Sequence, residues 1–382
     1  MKKIIFIIGL IAGAMLFWSC EKEVIDLNVQ KENEVSQKND MIDYKSKLQN
    51  KEFISESLFN NVIGNDSVRK MQVYTPPGYD HKRAEGYPVV YLLHGLPFTE
   101  KSFIDRHTWD QWIDPDGIFK NYPEFPEEGF RLWADNLIAT GKMEPSIIVM
   151  PDASSAYGFS MYSNSILNGN FEDYIVYDLV NFMDKRYNTI ANRDGRAVIG
   201  FSQGGYAAFK FGMKHPDIFG AVASHSGLIM TDHLLALGQY IMDENWDGST
   251  FPDPSTQFLN YAGLAMSAAW SPNLSNPPFY VDMVMEPPSP LPIPAVRALW
   301  LEQDVFTMLD DYHEDFNSLK GIYLDLGAYD EFGLAYSYPY LIQKLDGYGV
   351  DYTYGTYLGG HYDEMFSRLA ISLEYCSDAL QE

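Results

Sequence analysis

Ser202 is the residue from which a chemistry can be read. It lies in Val198-Ile199-Gly200-Phe201-Ser202-Gln203-Gly204-Gly205, a G-x-S-x-G motif. An apolar β-branched run precedes it, and a helix-forming run, Tyr206-Ala207-Ala208-Phe209-Lys210, follows. A strand-to-helix turn this tight strains its central residue and lifts the hydroxyl above the sheet, while the flanking glycines permit close approach. The plainer alternative is a Gly-rich turn with a capping serine. A serine hydroxyl is a poor nucleophile at neutral pH, so it needs a general base, and the base needs an orienting acid.

Five histidines follow Ser202. His361 sits in Gly359-Gly360-His361, a loop at the carboxyl end of a strand-like run, where a base belongs. His215 stands next to Pro216, and His233 and His313 lie on helix-like stretches; these three read as packing or surface residues. His225, in Ser224-His225-Ser226-Gly227, also follows a strand-like run and is a candidate for substrate binding. For the acid, Asp330 stands just past the strand-like run that holds Asp325, with Glu331 as its local competitor. A tetrahedral intermediate also needs backbone donors. The amide of Gln203 directly follows the serine, and Gly95 lets Leu93-His94-Gly95-Leu96 turn so that the Leu96 amide faces the same oxygen.

Such groups need a rigid frame. From about residue 70 onward, short β-branched runs alternate with longer amphipathic stretches, as in a mostly parallel sheet covered by helices. The strand-like runs are 71–75, 89–93, 146–150, 197–201, 221–224, 321–326 and 352–357. Several are apolar throughout, as expected when both faces are buried. The spacing predicts helices over 172–187, 206–215, 305–319, 338–347 and 364–379. The chain order serine, acid, histidine is that of the α/β-hydrolase fold. Residues 228–295 break the rhythm: Pro277, Pro278, Pro287, Pro288, Pro290, Pro292 and Pro294 argue against regular helix or central strand. This stretch reads as an insertion over one end of the sheet, a lid or cap, with a plain structural brace as the alternative.

Composition narrows the partners. The 382 residues carry 27 basic and 52 acidic side chains, a net charge of -25 that argues against nucleic acid and against an anionic membrane surface. Hydrophobic residues at 46% and charged residues at 21% exclude a mostly disordered chain. No H-E-x-x-H, paired C-x-x-C, P-loop or G-x-G-x-x-G is present, so no metal and no cofactor is expected. Among the many aromatic residues, Trp109, Trp112, Trp133, Tyr157, Tyr162 and Trp270 are candidates for a platform under a sugar or phenolic ring, with Tyr157 and Trp270 preferred.

Lys2 and Lys3 precede an apolar run from Ile4 to Trp18, then Ser19 and Cys20, which reads as an export signal over 1–19. The run is short for a membrane-spanning helix. It resembles a bacterial lipoprotein signal in which Cys20 becomes the lipidated first residue, although Phe17 and Trp18 are bulkier than usual there. Residues 20–50, charged and rich in Asn and Gln, read as a flexible tether to a catalytic domain over 51–382. Cys376 is then left without a partner, as a small buried residue of the C-terminal helix.

The runs Val73-Tyr74-Thr75-Pro76-Pro77-Gly78-Tyr79 and Pro88 to Gly95 are similar to the esterase D family of α/β-hydrolases. Met150-Pro151-Asp152, Gly200 to Gly205, His215-Pro216-Asp217, Asp325 to Phe332 and Gly360-His361 follow in that family's order. The family holds feruloyl and acetylxylan esterases, S-formylglutathione hydrolases, enterochelin esterases and mycolyltransferases. The resemblance implies Ser202, Asp330 and His361 as a triad, with the amides of Leu96 and Gln203 as the oxyanion hole. Gln203 stands where the family commonly has methionine, and the long 228–295 insertion sets specificity apart. The resulting expectation is an exported serine esterase, lipid-anchored or otherwise secreted, acting through an acyl-enzyme on acetyl or feruloyl esters of polysaccharide. A siderophore or acyl-metabolite esterase, an acyltransferase and a non-catalytic glycan-binding lipoprotein are the rival readings.

Overall fold

The computed structural model describes residues 45–96, 99–104 and 130–381. The export signal, Cys20, the tether as far as residue 44, Trp109 and Trp112 lie outside these residues. The frame is a sheet of eight strands: β1 (Lys47–Ile54), β2 (Val68–Thr75), β3 (Val89–Leu93), β4 (Ile147–Pro151), β5 (Arg196–Phe201), β6 (Ala221–His225), β7 (Gly321–Gly327) and β8 (Thr353–Tyr357). Their spatial order is β1–β2–β4–β3–β5–β6–β7–β8. β1 with β2 and β2 with β4 run antiparallel; every other pair is parallel. This is the mostly parallel, helix-covered sheet expected from the alternating runs, and the α/β-hydrolase architecture that the resemblance implies.

All seven strand-like runs form strands, with ends shifted by up to a few residues. β1 corrects the tether boundary, because Lys47–Asn50 already belong to the sheet. Its sequence KLQNKEFI has no clean alternation, and only Phe53 of its side chains is buried. A polar, lysine-bearing edge of this kind blocks pairing with other chains.

Strand side chains alternate between faces. Val89, Tyr91 and Leu93 therefore enter one core, and Val90 and Leu92 enter the other. Burying each aliphatic side chain is worth about 1.5–3 kcal/mol, which is why β3 is apolar at every position. One face is covered by helices α2 (Val180–Arg186), α3 (Gln203–Lys214), α8 (Val305–Asn317) and α9 (Tyr338–Tyr348). The other is covered by α1 (Phe130–Ala139) and α10 (Met365–Gln381). The helix expected over 172–187 forms with a π-helical stretch, Tyr174–Leu179, leading into α2.

The insertion is more helical than its prolines suggested. It contains α4 (Thr231–Leu235), α5 (Gly238–Asp243) and the 13-residue α6 (Phe258–Trp270), and α7 (Pro294–Leu301) begins at its end. The prolines concentrate after α6, and Pro294 occupies the first turn of α7, where a missing N–H costs nothing. The insertion touches the elements that matter most for the site. The Phe258 ring meets Phe332 at 6.2 Å, and Trp270 meets Tyr206 of α3 at 5.6 Å.

Strand register fixes where the loops emerge. Leu93 pairs with Gly200, Phe201 with His225, His225 with Asp325, and Gly327 with Tyr357. The carboxyl ends of β3, β5, β6, β7 and β8 thus finish at one edge, and the loops carrying Leu96, Ser202, Asp330 and His361 leave from it.

Candidate active site

Ser202 lies between β5 and α3 with φ 58° and ψ −118°. A non-glycine residue held there stores about 1–3 kcal/mol of backbone strain, which the surroundings must over-determine. Its amide donates to the His225 carbonyl at 2.9 Å, and its carbonyl accepts the Tyr206 amide at 2.9 Å. The motif glycines have physical reasons. A methyl on Gly200 would lie 2.0 Å from the Gly204 carbonyl oxygen, and one on Gly204 would lie 2.2 Å from that of Leu93. Only glycines let α3 start so close to β5 and β3.

The loop after β3 presses against the serine. A methyl on Gly95 would sit 2.8 Å from the Ser202 Cβ. His94, immediately before it, is buried and fully engaged: Nε2 accepts the Ala153 amide at 2.9 Å, and Nδ1 lies 2.9 Å from the Gly95 carbonyl oxygen. Since Nε2 accepts, the proton is on Nδ1, which donates to Gly95. Burial, opposed by Asp152, pushes the His94 imidazole below its usual range and keeps it neutral.

His361 and Asp330 meet directly. His361 Nδ1 is 2.6 Å from Asp330 Oδ2, and the two side chains are 2% and 0% exposed. The other carboxylate oxygen, Oδ1, accepts the Phe332 amide at 3.0 Å, so both oxygens are used. Glu331 is bound differently: its Oε2 accepts the backbone amide of His361 at 2.7 Å. The geometry therefore gives the imidazole to Asp330 and leaves Glu331 to hold the main chain. Three rings enclose the imidazole, Phe201 at 4.9 Å, Phe332 at 4.8 Å and Tyr362 at 4.9 Å. Contact with Phe201 places His361 beside the strand end that delivers Ser202.

Several expectations are corrected. His225 is fully buried, with Nδ1 2.9 Å from both carboxylate oxygens of Asp325 and Nε2 2.8 Å from Ser372 Oγ. It ties β6, β7 and α10 together and has no free nitrogen for a substrate. Asp325 is likewise engaged, accepting from Tyr323 at 3.0 Å with Arg368 3.6 Å away. Trp270 is a core residue whose Nε1 donates to Ser163 Oγ at 3.1 Å, its ring 5.3 Å from Trp300. Tyr157 braces the insertion, its hydroxyl donating to the Phe279 carbonyl at 3.2 Å. Tyr162 is completely buried and so cannot be a platform. Residue type alone made these side chains binding candidates, because sequence does not show which loop folds over another.

His215 bonds buried Glu172 at 2.9 Å, His233 bonds the Phe332 carbonyl at 3.0 Å, and His313 stacks on Tyr348 at 4.1 Å. Among the described residues, no group of three or more His, Cys, Asp or Glu side chains is placed to hold a metal. The rings around His361 were not anticipated, although Phe201 and Tyr362 are the immediate neighbours of Ser202 and His361 in sequence.

The fold and this cluster define an α/β-hydrolase with a serine elbow and a paired histidine and aspartate. The family model for putative esterases matches residues 64–367, and the chain belongs to that family. An esterase of Mycobacterium tuberculosis is 32% identical over 151 residues, 39% of this chain and 27% of that protein. An endo-1,4-beta-xylanase/feruloyl esterase of Xylanibacter ruminicola is 32% identical over 170 residues, 41% of this chain and 19% of that protein. The chain thus matches about a quarter or less of the length of these curated relatives. A ferulic acid esterase structure shares the fold with a TM-score of 0.57 at 21% identity, covering 88% of this chain and 98% of that one. An S-formylglutathione hydrolase of Staphylococcus aureus does so with 0.53 at 15% identity, covering 87% and 99%.

Proposed function

We propose that the chain is an exported serine esterase that cleaves acetyl or feruloyl esters of a polysaccharide through an acyl-enzyme on Ser202. The observation that carries the mechanism is the buried 2.6 Å contact between His361 Nδ1 and Asp330, next to a serine held at φ 58°. Asp330 fixes the imidazole with its proton on Nδ1, which leaves the Nε2 lone pair to take the Ser202 proton. Ser202 Oγ bonds to the ester carbonyl carbon, and the carbonyl oxygen becomes an oxyanion. The amides of Leu96 and Gln203 donate to that oxygen. Collapse breaks the bond to the alcohol, which leaves with the proton from His361. Water then repeats the sequence: its proton goes to His361, its oxygen releases the acid, and Ser202 recovers its hydrogen.

The polysaccharide assignment is supported by the name of the Xylanibacter relative, in which an esterase accompanies a xylanase. The insertion contacts the acid loop through Phe258 and His233, a position suited to a lid that shapes the acyl pocket. The basic start, apolar run and Cys20 support export with a lipid anchor.

The test is acyl release by the full chain in detergent, beside Ser202→Ala, from methyl ferulate, acetylated xylan, 4-nitrophenyl acetate and a siderophore triester. Release from methyl ferulate or acetylated xylan that disappears in the variant supports the reading. Preference for the siderophore ester, or equal rates in the two proteins, overturns it. Labelling of the chain by radioactive palmitate that is lost in Cys20→Ser tests the anchor.

A further inference from the structure

The loop that follows β4 grips His94 at two points. The Ala153 amide donates to the His94 ring at 2.9 Å, and the Tyr162 hydroxyl donates to the His94 carbonyl oxygen at 3.0 Å. Ser160 joins the two holds, because its hydroxyl donates to the Ala153 carbonyl at 2.8 Å and accepts the Tyr162 amide at 3.1 Å. The turn between them is strained. Met161 and Tyr162 are consecutive non-glycine residues with φ 50° and 45°. Such conformations persist only where surrounding structure enforces them, and they concentrate at functional sites.

Here the enforcing group is charged. Lys210 of α3 is fully buried, and its ammonium donates to the Tyr162 carbonyl at 2.8 Å and to Ser163 Oγ at 2.9 Å, with Glu172 at 3.1 Å. A buried ammonium is retained only when its protons are satisfied, and this one gives two to the strained turn and faces Glu172 with the third. The same helix begins at Ser202. One rigid unit therefore holds the nucleophile at its N-terminus and, through Lys210, Tyr162 and His94, the loop whose Gly95 touches that nucleophile.

We infer that Tyr162 and Ser160 are positioning residues that set the distance between the Leu96 amide and the oxyanion. The inference rests on the acyl-enzyme reading. A hole donor acts only at its proper place, and loss of one costs about 10²–10³-fold in rate. Loosening the loop through Tyr162 should therefore reduce a step that depends on the tetrahedral species while leaving ground-state binding intact.

The experiment uses the full chain in detergent with Tyr162→Phe and Ser160→Ala, beside Ser202→Ala. It reads kcat and KM for 4-nitrophenyl acetate per active site, and the affinity for phenylboronic acid, which forms a tetrahedral adduct on a serine. The expected result is a fall in kcat of about tenfold or more, KM within about twofold, and boronate affinity weakened in parallel. Should Tyr162→Phe fail to fold, Ser160→Ala decides alone. A purely structural role would lower the melting temperature but leave kcat per site and boronate affinity unchanged. That outcome, with Ser202-dependent turnover intact, overturns this inference and spares the esterase reading. Absence of Ser202-dependent turnover in the parent chain overturns both.

Discussion

Replacing Asp330 with asparagine would remove one charge and reverse one hydrogen bond. The oxygen that accepts the Phe332 amide at 3.0 Å can be kept as the carboxamide oxygen, so the acid loop can retain its shape. The atom that faces His361 Nδ1 at 2.6 Å then becomes an NH2 group, which donates. The imidazole must answer with a bare Nδ1 and carry its proton on Nε2, where it can no longer take the Ser202 proton. Charge adds to this. Imidazolium and carboxylate centres about 4 Å apart attract by about 4 kcal/mol at an effective dielectric of about 20, or about 10³-fold in rate. The wrong tautomer raises the loss towards about 10⁴-fold. Glu331→Gln is the control, since its carboxamide oxygen can still accept the His361 amide, and it should lose less than about tenfold. The assay is kcat/KM on 4-nitrophenyl acetate, with circular dichroism melts to show that both variants fold. Asp330→Asn within about tenfold of the parent, or Glu331→Gln equally damaged, would refute the reasoning.

Gly95→Ala should lower kcat/KM by about 100-fold or more, because its methyl would press within 2.8 Å of the Ser202 Cβ and push the loop away; a rate near that of the parent contradicts the placement. Burial alone would raise the carboxyl of Glu172, but Lys210, His215 and Lys214 outweigh it and hold the group well below the usual carboxylate range. Its contribution to stability is therefore complete above the unfolded value of about 4.3 and is lost as pH falls from there towards the folded value. Glu172→Gln should cost about 3–5 kcal/mol in urea melts at neutral pH and less below pH ~4, and a gap that does not narrow would be inconsistent with this. Burial pushes the Cys376 thiol far above its usual range. In a Cys20→Ser chain it should resist a thiol reagent until the protein unfolds, and fast labelling of the native protein would show that the C-terminal helix opens.

What was legible in the sequence follows from what periodicity encodes. Strands buried on both faces must be apolar throughout, so β3, β4 and β5 announce themselves, while β1, polar and at an edge, does not. The serine turn was readable because steric crowding leaves only glycine at 200 and 204. The pairing of Asp330 with His361 could be anticipated from loops leaving adjacent strands, β7 and β8. The sequence already favoured Asp330 over Glu331; the structure adds that Glu331 holds the His361 main chain, since neighbouring residues point in different directions from one turn. His225 and Trp270 show the opposite case. Each has the residue type of a binding group, and only long-range partners, Asp325 and Ser372 for one and Ser163 for the other, reveal that its polar atoms are already spent. Tyr162 belongs with them, because no local pattern marks a left-handed tyrosine held by a lysine 48 residues away.

The central claim is that Ser202 carries the acyl group. The most direct measurement is intact and peptide mass spectrometry of the full chain, quenched in acid soon after mixing with 4-nitrophenyl acetate. The account predicts one added acetyl group on the peptide containing Gly200 to Gly205, located at Ser202 and missing from Ser202→Ala, with turnover lost in the same variant. An acetyl group at any other residue, or turnover that survives in Ser202→Ala, would contradict it.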